Sequence, residues 1–192
     1  AKLPVQDRYF HEVLDCERPC NFYYDIDVVT SDLASDYQKP LLSQRLVQLH
    51  RLIGELIGSK YAAGKPSFAE SGSSTSAKLS VHGVVHCDCA FRSTSDCGEF
   101  AGRIEARAAQ DAISELFWKD KVGHWRFLLD RNVYSRNHTL RIVGSCKLQD
   151  VVSGKPRRYL MPMLPYAHDE FMGKLTQTAQ QEKLQPQQFA LD

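Results

Sequence analysis

Two stretches of the chain alternate strictly between apolar and polar positions. In residues 21–29, Phe22, Tyr24, Ile26 and Val28 fall on one side and Tyr23, Asp25 and Asp27 on the other. That period of two predicts a β-strand with one face in the core. In residues 78–87, Leu79, Val81 and Val85 point one way while Lys78, Ser80, His82 and His86 point the other, a second such strand. Between them Leu42, Leu46, Leu49, Ile53 and Leu56 recur at three- and four-residue steps. This predicts an amphipathic helix opening near Pro40 and closing near Gly64, with Pro66 beyond. Asp96 is positioned to cap a second helix that buries Phe100, Ile104, Ala108 and Ile113. Shorter apolar runs predict strands over 125–129, ending at Asp130, and over 139–143. Tyr9, Phe10, Val13 and Leu14 suggest a short packed element near the start.

The remaining segments read as connections. Residues 65–77 are rich in Ser and Gly and are expected to form a loop. Lys155, Arg157 and Arg158 form a basic turn ahead of residues 159–164. Residues 1–170 are then one domain, and the Gln-rich residues 171–192 a tail, frayed helix or disordered. The order strand, helix, strand, helix, strand, strand predicts an α+β fold: a small, mostly antiparallel sheet with its helices on one face. The ferredoxin-like β-α-β topology of RNA-recognition modules is one form of it.

Composition narrows the setting. The chain has 192 residues, 43% hydrophobic and 24% charged, with a net charge of +1, so any nucleic-acid affinity has to come from a local patch. No apolar run is long enough to span a bilayer as a helix, and Ala1-Lys2-Leu3-Pro4 is not a signal peptide. A soluble monomer with no membrane partner is expected. Six cysteines at irregular spacing do not call for disulfides and fit a reducing intracellular compartment. Cys16-x-x-x-Cys20 and His86-Cys87-Asp88-Cys89 have zinc-like spacing, but the alternation puts Cys87 and Cys89 on a core strand, where a thiol packs as a small apolar group.

The candidate chemistry lies on the polar faces. Asp25 and Asp27 project from one face about 6.6 Å apart, two strand rises, and like charges that close call for a cation between them. Two solvated acids on an exposed sheet face would look the same. Asp130 alone also suits a turn, and Ser80 with His82 a hydrogen-bonded strand pair. Taken together, three acids at strand ends can hold two divalent ions, and oxygen-only ligands favour Mg²⁺ or Mn²⁺. Lys78, Ser80 and His82 offer a point charge, a hydroxyl and an imidazole, donors suited to a triphosphate, with Arg141 and Lys147 as further cations. Arg126, Arg131 and Arg136 are close enough in sequence to the third acid to track a nucleic-acid backbone.

The ordered set of motifs resembles the catalytic core of the archaeo-eukaryotic primase superfamily, most closely the eukaryotic PrimPol and PrimPol-like primase-polymerases. The first motif is Tyr24-Asp25-Ile26-Asp27, after the lead-in Arg8-Tyr9-Phe10-His11-Glu12-Val13. The second is Lys78-Leu79-Ser80-Val81-His82, followed by Ala90-Phe91-Arg92. The third opens at Asp130-Arg131-Asn132-Val133-Tyr134-Ser135-Arg136-Asn137 and closes in Leu140-Arg141-Ile142 and Gly144-Ser145-Cys146-Lys147. The resemblance covers residues 8 to about 147. It implies that Asp25, Asp27 and Asp130 are metal ligands and catalytic residues. It also implies that Lys78, Ser80, His82, His138, Arg141 and Lys147 contact the incoming dNTP or NTP, and that Arg131 and Arg136 contact nucleic acid. The implied protein is a template-dependent DNA polymerase or primase of the nucleus or mitochondrion, serving primer synthesis or damage tolerance, with Mn²⁺ or Mg²⁺ as cofactor and single-stranded template and primer as partners. This chain carries His138-Thr139 where the closest members have Arg-Asn. It also has no cysteine after Cys146, whereas members that start primers often carry a downstream zinc motif.

The rival reading is a sheet that grips single strands without chemistry. It needs exposed aromatics for base stacking, and Tyr23 is the one candidate on the polar face.

Overall fold

The computed structural model describes residues 11–34, 42–61, 66–74, 78–136, 138–141, 145–146, 152 and 159–163. At its centre is a four-stranded antiparallel sheet. Strand β2 (Phe22–Val29) pairs with β4 (Lys78–His86), β4 with β3 (Ser67–Gly72), and β3 with β8 (Met161–Met163). Because β2 and β3 both run antiparallel to β4, they are parallel to each other with β4 inserted between them. Helix α1 (Leu42–Tyr61) joins β2 to β3, and α2 (Thr94–Gln110) follows β4. On the outer edge of β2, Leu129 forms an antiparallel bridge to Ile26. Two short antiparallel pairs complete the described strands: β1 (His11–Val13) with β7 (Thr139–Arg141), and β5 (Phe117–Lys119) with β6 (Trp125–Phe127).

Both helices pack on the face that carries Phe22, Tyr24, Ile26 and Val28. Phe22 meets Phe100 of α2 edge-on at 4.9 Å between ring centroids, and the Tyr24 hydroxyl lies 3.1 Å from His50 Nε2 of α1. Leu46, Leu49, Leu52, Ile53 and Ile57 from α1 and Phe100, Ala101 and Ile104 from α2 join the strand residues in one buried core. The expected α+β fold, with helices on one face of an antiparallel sheet, is therefore present. Among the described residues no helix is long and apolar enough to cross a membrane.

Several local expectations change. Residues 65–77 are not simply a loop, because β3 occupies Ser67–Gly72 and pairs with β4 along its whole length. Its Ser and Gly content conceals a strand whose order comes from neighbours on both sides rather than from its own propensity. The cap of α2 is Ser93, whose side chain accepts from the Asp96 N–H at 3.2 Å; Asp96 lies inside the first turn. Ile113 is buried but lies beyond the helix. Ala112 there takes a left-handed φ of 53°, and the Ile113 N–H returns to Ala108 C=O at 2.9 Å, a Schellman closure. Replacing Ser93 by Ala is expected to lower stability by about 1 kcal/mol, the usual loss of such a cap; equilibrium denaturation reads it directly.

The strand expected over 125–129 stops at Phe127, and Trp125 is exposed. Leu128 and Leu129 turn inward instead. Cys87 and Cys89 follow β4 rather than lying in it, and are half-buried against the core. Val13 is exposed rather than packed. Tyr9, Phe10, Pro40, Gly64, residues 142–144, Lys147, the basic turn and the tail lie outside the described residues.

Candidate active site

The face of the sheet opposite the helices carries the predicted acids. The β2–β4 register sets Asp25 opposite His82, Asp27 opposite Ser80 and Val29 opposite Lys78. Directly opposed residues on antiparallel strands share a face, so both acids stand over the Lys-Ser-His row. The contacts follow from that register. Lys78 Nζ lies 2.6 Å from Asp27 Oδ1 and 2.8 Å from Oδ2, and His82 Nε2 lies 3.5 Å from Asp25 Oδ1.

Asp130 reaches the same place by a different route. The antiparallel bridge between Ile26 and Leu129 continues into a 2.8 Å hydrogen bond from the Asp130 N–H to the Asp25 carbonyl. Asp130 thus opposes Asp25 across the outer edge of β2, on the side away from His82. It also caps the 3-10 turn Arg131–Tyr134, with Oδ1 accepting from the Asn132 N–H at 2.9 Å.

Asp25 is strongly perturbed. Its side chain is about 15% exposed, and Oδ1 is buried and accepts no hydrogen bond. Burial, and then the nearby charges of Asp27 and Asp130, raise its pKa from 3.8 to about 7, against the opposing pull of Lys78 and Arg141. A carboxylate this short of partners is an acceptor for a hard cation, and the all-oxygen set of Asp25, Asp27 and Asp130 suits Mg²⁺ or Mn²⁺ in donor chemistry. In the arrangement described, the Lys78 ammonium lies against Asp27. Among the described residues no three His, Cys, Asp or Glu side chains are gathered closely enough to hold a metal.

Cationic and hydroxyl groups surround the acids. Ser80 and Arg141 are buried, each under 10% exposed. Ser73, just beyond β3, links them: Arg141 Nη2 donates to Ser73 Oγ at 3.2 Å, and Ser73 Oγ donates to Ser80 Oγ at 3.4 Å. Ser74 Oγ accepts from the Ser80 N–H at 2.9 Å and donates to its C=O at 3.1 Å. Ser71, also buried, faces His82 across the β3–β4 ladder. Sequence reasoning missed these serines because a Ser-rich run reads as a loop. The signal was their position immediately before the Lys-x-Ser-x-His row.

The outlying candidates are placed differently. Arg131 pairs with Glu105 at 3.3 Å and lies along α2 beside Gly102, so its guanidinium is engaged on the helix. Arg126 pairs with Asp120 at 2.9 Å, and Arg136 is exposed. His138 is held through its backbone, donating to Ser135 C=O at 3.3 Å and accepting from the Leu14 N–H at 3.0 Å. Tyr23 is only 2% exposed. Its hydroxyl donates to Val133 C=O at 3.2 Å, while the Tyr134 hydroxyl donates to Tyr23 C=O at 2.7 Å. The 3-10 turn after Asp130 therefore covers the aromatic that a base-stacking platform would need. Compared with models of protein families and with curated proteins, the chain matches none.

Proposed function

We propose that the chain is the catalytic core of a metal-dependent nucleotidyltransferase, a template-dependent DNA polymerase with primase activity of the archaeo-eukaryotic primase type. The observation that carries this reading is the shared face: Asp25 and Asp27 lie opposite His82 and Ser80 in register, with Asp130 drawn to the Asp25 backbone from the other side. The strand connectivity supports it as well. A β-α-β unit split by β4, followed by a helix and a return to the outer edge of β2 at Leu129, is the ferredoxin-like order of an RNA-recognition-like sheet.

In this reading Asp25, Asp27 and Asp130 would hold Mg²⁺ or Mn²⁺. Bound there, the ions would supply the charge that acidifies a primer 3′-hydroxyl and offsets the triphosphate. The chain's own part is positioning and electrostatics. Lys78, Ser80, His82 and Arg141 present cations and donors to the phosphates, and His138 and Lys147 belong to the same group by the motif order. The rigid β2–β4 ladder sets the spacing between acids and donors. The burial of Asp25 keeps water away from the reacting oxygens. Lys78, its side chain 19% exposed, is paired with Asp27, and it exchanges that partner for a phosphate when a nucleotide enters.

The rival reading, a single-strand binder without chemistry, loses its aromatic candidate with Tyr23 covered. The deciding experiment supplies labelled dNTPs with Mn²⁺ or Mg²⁺ to a primed and an unprimed single-stranded template. Primer extension that stops on chelation, and that vanishes when Asp25 and Asp27 are both changed to Ala, is the expected result. Extension that survives the double change would end the proposal. Products from the unprimed template would establish priming in addition.

A further inference from the structure

The hairpin that joins β3 to β4 carries a hydroxyl the motifs do not include. Ser73 Oγ accepts from Arg141 Nη2 at 3.2 Å and donates to Ser80 Oγ at 3.4 Å. Its backbone N–H bonds Ser80 C=O at 3.1 Å, so the residue sits directly across from Ser80. The two side chains it joins come from distant parts of the chain. Ser80 belongs to β4, while Arg141 belongs to β7, which among the described residues pairs with β1 and not with the central sheet. In the described structure Ser73 is a direct side-chain bridge between β7 and the donor row of β4.

We propose that Ser73 is a positioning residue for the anionic substrate: it holds the Arg141 guanidinium beside the Ser80 hydroxyl, so that both meet the phosphates of an incoming nucleoside triphosphate. The inference rests on the polymerase reading above and assigns a role within that site. Its physical basis is the geometry of the donors. An arginine has a long, rotamer-rich side chain, and the entropy of fixing it is lost on binding unless it is held beforehand. A hydroxyl suits this task because it accepts from the guanidinium and donates onward in the same orientation. It also leaves the net charge of the site unchanged, so it orders Arg141 without neutralising it as a carboxylate would. Ser74 completes the hairpin's grip by bonding both backbone groups of Ser80. That second contact fixes the strand, whereas Ser73 fixes the side chains.

The test is steady-state extension of a primed template by the full chain, with dNTP concentration varied at fixed Mn²⁺, for wild type, Ser73→Ala and Ser73→Thr. The loss of one hydrogen bond to a charged group predicts a rise of about tenfold in the KM for dNTP in Ser73→Ala, with kcat changed by less than about threefold. Ser73→Thr, which keeps the hydroxyl, is expected to return KM to within about twofold of wild type. Melting temperatures of the three proteins supply the structural control and are expected to agree to within the few degrees that one hydrogen bond is worth. An unchanged KM in Ser73→Ala, a fall in kcat alone, or a KM rise that the threonine does not reverse would each overturn the inference while leaving the polymerase reading intact. A melting temperature that falls in step with activity would overturn it too, since the hydroxyl would then serve only the hairpin. A wild-type chain that incorporates no nucleotide would instead overturn the reading itself, and this role with it.

Discussion

Replacing Asp25 by Asn is expected to make the metal-free protein more stable above pH 7 and, on the proposed polymerase reading, to abolish nucleotide incorporation. Burial, Asp27 and Asp130 raise the Asp25 pKa from 3.8 to about 7. A carboxyl whose folded-state pKa is raised favours the folded state at low pH. That contribution is complete below the unfolded value near 3.8 and is lost as pH climbs through about 7. At pH 8 the ionised carboxylate therefore opposes folding by up to about 4 kcal/mol relative to acid conditions. Asparagine carries no charge, so the penalty disappears, and the imperfect hydrogen bonding of the buried amide leaves a net gain of roughly 2 kcal/mol. In a chain of this size that raises the melting temperature by about 4–8 °C at pH 8. At pH 5 the folded carboxyl is protonated but its unfolded counterpart is mostly ionised, so only about 1.6 kcal/mol of that penalty is present; it is offset by the cost of the buried amide, and the two proteins are expected to melt close together. Thermal denaturation in a chelating buffer at both pH values is the measurement. Equal shifts at both would show that the carboxylate does not carry the strain assigned to it. Added Mn²⁺ supplies a second reading: it should stabilise the wild type at pH 8 by mass action on the folded state and affect Asp25→Asn far less.

The period of two made the two strands that matter legible. Tyr23, Asp25 and Asp27 share a face, as do Lys78, Ser80 and His82, because successive side chains on a strand alternate and one face of each strand here is apolar. Which strands become neighbours is a non-local matter. That Asp27 opposes Ser80 depends on the β2–β4 register, and that Asp130 opposes Asp25 depends on Leu129 meeting Ile26. Local patterning carries no information about either pairing. The motif order suggested only that these residues share one site. The covering of Tyr23 is of the same kind, since its burial follows from where the turn after Asp130 folds back. Strand β3 was hidden for a different reason: its Ser67, Ala69 and Gly72 lack the bulk that marks a strand, and neighbours on both sides supply the order. Arg131, conspicuous next to Asp130 in sequence, is claimed by Glu105. Adjacency along a chain says little about where a long side chain ends.

Replacing Gly83 by Ala is expected to cost about 3 kcal/mol, a large loss for one methyl group added to a strand. Gly83 opposes Tyr24 in the β2–β4 ladder, and the Tyr24 ring lies across it. A Cβ at Gly83 would come 2.5 Å from Cε1 and Cε2 of that ring and closer still to Cζ. The ring has little freedom to give way. It is fully buried, its hydroxyl donates to Glu70 Oε1, and His50 Nε2 lies 3.1 Å from that hydroxyl and 2.9 Å from Glu70. Tyr24, Glu70 and His50 thus tie β2, β3 and α1 together beneath the sheet, and moving the ring breaks that connection. The same displacement reaches the site, because Asp25 follows Tyr24 directly and faces His82, the neighbour of Gly83. A double-mutant cycle separates crowding from any intrinsic cost. In a Tyr24→Leu background the space over residue 83 opens, and alanine is a better strand residue than glycine on backbone entropy alone. The second substitution should there cost less than about 1 kcal/mol, a coupling of about 2 kcal/mol between the two positions. Urea denaturation of the four proteins measures it. A Gly83→Ala protein that melts within about 1 °C of wild type would mean that the ring does not hold its place over the glycine.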